Sequence, residues 1–225
     1  MANPIQILST KILSPLHKQE LMKYGIEVIE ADFIKTENKS FELKDLNESL
    51  IFTSQNAVHS ILSDPKSEEL LPKLREKNVY CVGLKTKTLL SDNGFNVVAY
   101  TGYASDLAEI ITLIYANESY TFFSGNLRRD TLPDALKEAG IKFNEIQVYE
   151  TALQPQKIKA NPEALLFFSP SGVKSYLKDN TIQKQICFCI GDTTAEALSK
   201  ITKNIIIADQ PTIEDVIEDV IQEYK

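Results

Sequence analysis

The chain reads as short apolar runs separated by stretches of helical period. Apolar runs fall at 5–9 (IQILS), 26–30, 50–53, 78–82, 96–100, 120–123, 141–148, 164–168, 186–190 and 204–208. Between most of them lie segments such as SPLHKQELMKYG, SDLAEIITLIYAN, DTLPDALKEAG and TIEDVIEDVIQEYK, whose apolar positions recur at helical spacing. Strands alternating with helices predict parallel sheets with right-handed crossovers. Ten such strands in 225 residues make either one very wide sheet or two of five.

An internal repeat decides between these. IFTSQNAVHSIL (51–62) matches LFFSPSGVKSYL (166–177), with Ile51 on Leu166, Ser54 on Ser169 and Val58 on Val173. NVYCVGLKTKTLL (78–90) then matches QICFCIGDTTAEAL (185–198), with Gly83 on Gly191 and Thr86 on Thr194. NVVAYTGYASDLAEII (96–111) resembles NIIIADQPTIEDVIED (204–219), each a strand, a loop and a capped acidic helix start. A repeat of this length means two related α/β domains rather than a solenoid. The first copy is followed by strands 120–123 and 141–148, whereas the second copy ends the chain. Its two missing strands are expected from 5–9 and 26–30. The expected organisation is therefore a discontinuous domain of residues 1–35 plus 163–225 and an inserted domain of residues 50–148. The segments 36–49 and 149–162, both with polar stretches and the second proline-bearing, are expected to link them.

Charge and composition narrow the function. A net charge of −7 argues against a nucleic-acid footprint, which wants an excess of Lys and Arg. No apolar run approaches the roughly 20 residues of a membrane span, and MANPIQILST lacks the pattern of a secretory signal. A cytoplasmic protein without membrane or nucleic-acid partners is expected, as a monomer. Cys81, Cys187 and Cys189 each sit in an apolar run and read as small buried thiols. His17 and His59 fall in unrelated helices, where solvated positions are expected, so metal chemistry has little support.

In doubly wound sheets, ligands collect beyond the carboxyl ends of strands, at helix N-termini. The repeated corners place small and hydroxylated residues there: Ser54-Gln55-Asn56, Gly83 with Thr86, Ser169-Pro170-Ser171-Gly172 and Gly191-Asp192-Thr193-Thr194. Any one of them is an ordinary helix start. Four in two domains facing one cleft offer rows of N–H groups and hydroxyls suited to carboxylates or phosphates. No G-x-G-x-x-G or P-loop supports a nucleotide. A further strand-to-helix junction carries two cations, in Gly125-Asn126-Leu127-Arg128-Arg129, where solvated surface is the usual fate of arginine.

FFSGNLRRDTLPDALKEAG with VYET, FFSPSGVKSYL and IGDTTAEAL, in this order, resemble the uroporphyrinogen-III synthase family over essentially the whole chain. The resemblance implies two flavodoxin-like domains, each a five-stranded parallel sheet flanked by helices, joined by a two-stranded ladder. It implies cyclisation of hydroxymethylbilane to uroporphyrinogen III, with inversion of ring D, loss of water and no metal or cofactor. Carried over by position, it implies Tyr149 (VYET) as a catalytic assistant. The implied substrate contacts are Ser54, Thr86, Gly125, Arg128, Arg129, Ser169, Ser171, Gly172, Thr193 and Thr194. Gln55 and Asn56 stand where the family varies widely, so only Ser54 is assigned at that corner. A phenol keeps its proton at neutral pH and could donate a hydrogen bond to the departing hydroxyl, although Tyr149 could equally be a packing residue. Without the motif set, the topology also fits a non-catalytic hinged binding protein for a small polyanion. A nucleotide-sugar transferase fits less well, since it usually needs a longer chain.

Overall fold

The computed structural model describes residues 4–225; residues 1–3, at the start of the expected first domain, lie outside the described residues. The first elements are β1 (Ile5–Ser9), α1 (Pro15–Lys23), β2 (Ile26–Glu30), β3 (Ile34–Asn38), β4 (Ser49–Phe52), α2 (Gln55–Leu62) and α3 (Ser67–Arg75). β5 (Asn78–Val82), α4 (Leu84–Asp92), β6 (Asn96–Thr101), α5 (Ala104–Ile114), β7 (Tyr120–Gly125), α6 (Thr131–Glu138) and β8 (Phe143–Leu153) follow. The last are β9 (Ala164–Phe167), α7 (Pro170–Asp179), β10 (Ile186–Cys189), α8 (Asp192–Glu196), β11 (Ile205–Ile207) and α9 (Ile213–Tyr224). By their contacts the residues form two compact units, one of residues up to Lys35 with Ala152–Lys225, the other Thr36–Thr151.

The first unit holds a five-stranded sheet in the order β2-β1-β9-β10-β11, parallel throughout. The second holds the order β3-β8-β7-β4-β5-β6, parallel from β8 to β6. Taken strand by strand, β9, β10 and β11 occupy in one sheet the places of β4, β5 and β6 in the other, with β1 and β2 in the places of β7 and β8. The same sheet is thus built twice, with the chain entering at different strands.

The sixth strand, β3, adds to the five parallel strands where the resemblance implies a two-stranded ladder. It lies against the late part of β8, where Lys39 N–H donates to Val148 O at 2.9 Å and the Thr36 and Thr151 hydroxyls stand 3.5 Å apart. The falling partner numbers make this ladder antiparallel. β3 reads IKTEN and is exposed after its first residue, so it carries no apolar signature. An edge strand needs only one paired side and no buried face.

The repeated apolar runs become the middle of each sheet. β4 and β9 are buried at every position, as expected for parallel strands covered on both faces. Alternate residues point to opposite faces. Leu50 and Phe52 enter a core with Ala57, Val58 and Ile61 of α2, while Ile51 enters another with Leu107 and Ile111 of α5. Leu166 likewise joins Val216 and Val220 of α9, and Leu165 and Phe167 join Val173 and Tyr176 of α7. Phe52 stacks on Phe123 across the β4–β7 pair at 5.1 Å between ring centres, a contact worth about 0.5–1.5 kcal/mol beyond its burial. Among the described residues, no helix is long and apolar enough to cross a membrane.

The junction between β7 and α6 is pinned by charge. Arg128 lays its guanidinium on Glu145 of β8 through Nε to Oε1 (2.6 Å) and Nη2 to Oε2 (2.8 Å), and its Nη1 meets Asp130. Ser124 Oγ donates to the same carboxylate at 2.5 Å. Two parallel N–H bonds to one carboxylate are among the stronger polar contacts. They hold the Glu145 carboxyl below its ordinary value, against the opposing effect of burial. A carboxyl depressed by folding stabilises the fold above its unfolded pKa and loses that contribution as pH falls through its folded value. Glu145→Gln should therefore melt below the wild type at neutral pH. The difference should begin to narrow as pH drops below glutamate's ordinary value of about 4.3, and should vanish once the folded carboxyl, held lower, takes up its proton. Melting curves between pH 7 and pH 3 read this, and a gap independent of pH would mean that the charge on Glu145 contributes nothing.

Candidate functional site

Strand order reverses between β4 and β7 in the second unit and between β9 and β1 in the first. Such switch points open a crevice at the carboxyl edge of a sheet, where ligands bind. Each has a serine corner beside it. Ser54 caps α2, its hydroxyl accepting from Asn56 N–H at 3.1 Å. Ser169 caps α7 in the same way, accepting from Gly172 N–H at 3.0 Å. Pro170 follows at the first helical position, where a missing N–H costs nothing. Ser171 adds its hydroxyl 3.0 Å from that of Ser169.

The next strand outward ends in glycine in both units. Gly83 precedes α4 and Gly191 precedes α8, and no side chain caps either helix among the described residues. Gly83 has φ +89°, a backbone region that favours glycine. Gly191 is extended at φ 171°, and a Cβ there would meet nothing within 4 Å. Thr86 and Thr194 hold equivalent places in the first turns of α4 and α8. Both are almost fully buried, at 4% and 1% exposure, so their side chains underpin these corners from within. Thr193 is half-buried and nearer the surface.

Around β7 the residues sort differently. Gly125 is buried and lies against Tyr149, its register partner on β8. A Cβ on Gly125 would sit 2.3 Å from two atoms of the Tyr149 ring, so only glycine fits beneath it. Tyr149 is half-buried, packed at the margin of the β4 core, and its hydroxyl donates no hydrogen bond among the described residues. Arg128 is committed to Glu145 and Asp130, whereas Arg129 is exposed.

Two residues outside the sequence-based set join this geometry. Thr10, just past β1, donates from Oγ1 to Leu166 O at 2.7 Å, and its hydroxyl would lie 3.6 Å from a Cβ on Gly172. Asn126 bonds the backbone of Thr151 from both ends of its side-chain amide. The small hydroxylated ending of IQILST carried the signal for Thr10, since it matches the style of the other corners. Asn126 had no such signal, because its partner lies 25 positions away.

The arrangement offers neutral donors: N–H groups at glycine-opened helix starts, serine and threonine hydroxyls, and one phenol. Such donors bind carboxylates without a counter-charge. Cys81, Cys187 and Cys189 are free and buried; burial pushes Cys81 up to about 11 and the other two up to about 12, which keeps them protonated packing groups. His59 is exposed, but His17 departs from the solvated position expected of it. It is drawn in because α9 packs across α1, and its Nε2 stands 3.5 Å from Glu214 Oε1. Among the described residues, no three His, Cys, Asp or Glu side chains converge as metal ligands would.

Comparison with known proteins agrees with this arrangement. Uroporphyrinogen-III synthase of Chlorobaculum parvum is 27% identical over 205 residues, covering 81% of this chain and 82% of that protein. The enzyme of the same name from Saccharomyces cerevisiae is 29% identical over 160 residues, 58% of each chain. The crystal structure of uroporphyrinogen-III synthetase from Helicobacter pylori shares the fold with a TM-score of 0.75 at 24% identity, covering 97% of this chain and 99% of that one. The family profile described as uroporphyrinogen-III synthase HemD matches residues 17–218. The chain belongs to the uroporphyrinogen-III synthase HemD family.

Proposed function

We propose that this chain closes hydroxymethylbilane into uroporphyrinogen III, inverting ring D and releasing water. The observation that carries the reading is the family match from residue 17 to residue 218, which reaches into both units and spans every corner described above except that of Thr10. A net charge of −7 favours a small-molecule substrate over a nucleic acid as the partner.

The substrate is a flexible chain of pyrroles rich in carboxylates. Loss of hydroxide from the carbon next to ring A is assisted by the electron-rich pyrrole nitrogen, so no strong acid is required. The harder task is selection. Ring D must attack first through its already substituted α-carbon, giving a spiro intermediate that fragments and recloses with the ring inverted. Closure at the free α-carbon gives the type I isomer instead. Catalysis of this kind rests mainly on holding one folded shape of the substrate. In this reading the N–H groups beyond Gly83 and Gly191, with the Ser54, Ser169, Ser171 and Thr193 hydroxyls, hold substrate carboxylates. Thr86 and Thr194 keep their corners in shape, and Arg129 is the cation left to meet an anion at the β7 corner. The Tyr149 hydroxyl donates to the departing hydroxyl group.

Two substitutions test the parts. Tyr149→Phe keeps the ring and should fold as the wild type, while turnover falls tenfold to a hundredfold, as for loss of one transition-state hydrogen bond worth ~1.5–3 kcal/mol. Unchanged turnover would reduce Tyr149 to packing. Gly172→Asp adds a carboxylate where a Cβ already meets Ser169 Oγ at 3.3 Å, and so opposes an approaching anion by both bulk and charge. Its product, oxidised and separated by isomer, should shift from type III toward type I. A folded Gly172→Asp protein giving mostly type III at wild-type speed would remove this corner from the substrate's path.

A further inference from the structure

We infer that Asn126 is a positioning residue for Tyr149, fixing the direction of its phenol by splinting the strand on which it stands. The inference rests on the role proposed for Tyr149 above.

The need for a splint arises from the register of β7 and β8. Ser124 lies opposite Gln147, but Gly125 lies opposite Tyr149, so Val148 is passed over. An extra residue of this kind interrupts the ladder and bends the strand that carries it. β7 then ends at Gly125, whereas β8 runs on to Leu153. Beyond Tyr149, β8 has lost its β7 partner.

The Asn126 side chain takes the partner's place. Its Oδ1 accepts from Thr151 N–H at 2.8 Å, and its Nδ2 donates to Thr151 O at 3.3 Å. One primary amide thereby engages both backbone groups of one residue, as a further rung of the ladder would. Thr151 stands two positions beyond Tyr149, on the same face of the strand.

Gly125 and Asn126 act on Tyr149 in different ways. Gly125 gives the ring a seat, since a Cβ there would fall 2.3 Å from the ring and 2.8 Å from the phenol oxygen. The ring is packed on Gly125 and the core margin, but no hydrogen bond donated by its hydroxyl is found among the described residues. The phenol therefore points where the backbone of β8 directs it, and Asn126 fixes that backbone immediately after the bulge. Asn126 is exposed, so water can replace its bonds at small cost to stability. Reaction geometry is less forgiving, since a displacement of about 1 Å can cost a hundredfold in rate.

The test is a double-mutant cycle on the full chain with hydroxymethylbilane as substrate. It reads kcat, KM, isomer ratio and melting temperature for Asn126→Ala, Tyr149→Phe and the pair. Asn126→Ala should lower kcat about tenfold with KM changed less than about twofold, as for loss of transition-state alignment rather than binding. Asn126→Asp retains the acceptor for Thr151 N–H but turns an anionic oxygen on Thr151 O, and should recover only part of the rate. In the Tyr149→Phe background, Asn126→Ala should cost almost nothing further, because the hydroxyl it aims is gone. Equal losses in both backgrounds would overturn the inference while leaving the role of Tyr149 intact. Wild-type turnover in Tyr149→Phe would remove that role, and the inference with it. If Asn126→Ala does not fold, Asn126→Ser, too short to span to Thr151, takes its place in the same cycle with the same criteria.

Discussion

A helix that follows a parallel strand begins with N–H groups that have no partner within the helix, and each corner of this fold either caps them with a side chain or leaves them open. At the middle strands, Ser54 and Ser169 turn their hydroxyls back onto Asn56 and Gly172 N–H. At the neighbouring strands, Gly83 and Gly191 supply no side chain, and among the described residues the first turns of α4 and α8 stay uncapped by side chains. The serine corners secure the helices beside the switch points, and the glycine corners leave helix starts that no side chain caps among the described residues. Because both sheets share one strand arrangement, each unit carries one corner of each kind.

This division was only partly legible in the sequence. The ten apolar runs mark ten strands, because a parallel strand buried on both faces must be apolar along its length, as β4 and β9 are. β3 left no apolar run for the opposite reason, as IKTEN has one bonded side and no buried face; the ladder it forms was implied by the family resemblance and not by the pattern. Hydroxyls at strand ends could be read directly, but whether a hydroxyl is available could not. Ser54 and Ser169 prove to spend an acceptor lone pair on capping their own helices, which leaves each hydroxyl proton to be donated. Thr86 and Thr194 look surface-bound until burial places them beneath their corners. Arg128 and Asn126 depend on Glu145 and Thr151, 17 and 25 positions away. Such pairings are set by register between β7 and β8, which local pattern does not encode.

Around Tyr149 the levels connect most closely. A one-residue shift between β7 and β8 brings Gly125 under the ring, and the glycine at 125 follows from that contact rather than from its turn. The loop beyond it is held at one end by Asn126 on Thr151 and near the other by Arg128 on Glu145. Buried apolar strands set the register, the register seats the ring, and two polar clamps keep the seat in place. A half-buried phenol is left as a donor at the carboxyl edge of the sheet.

The account assigns substrate recognition mainly to neutral donors on a chain of net charge −7, with Arg128 withdrawn into an ion pair. A polyanionic substrate therefore approaches against the overall field, and salt should screen a repulsion rather than an attraction. The direct measurement is KM for hydroxymethylbilane across added KCl from about 50 to about 500 mM, a range over which the screening length falls severalfold. The account predicts a KM that stays level or falls as salt rises. A KM climbing steeply with salt would mean that clustered cations, not helix starts and hydroxyls, hold the substrate, and would contradict it.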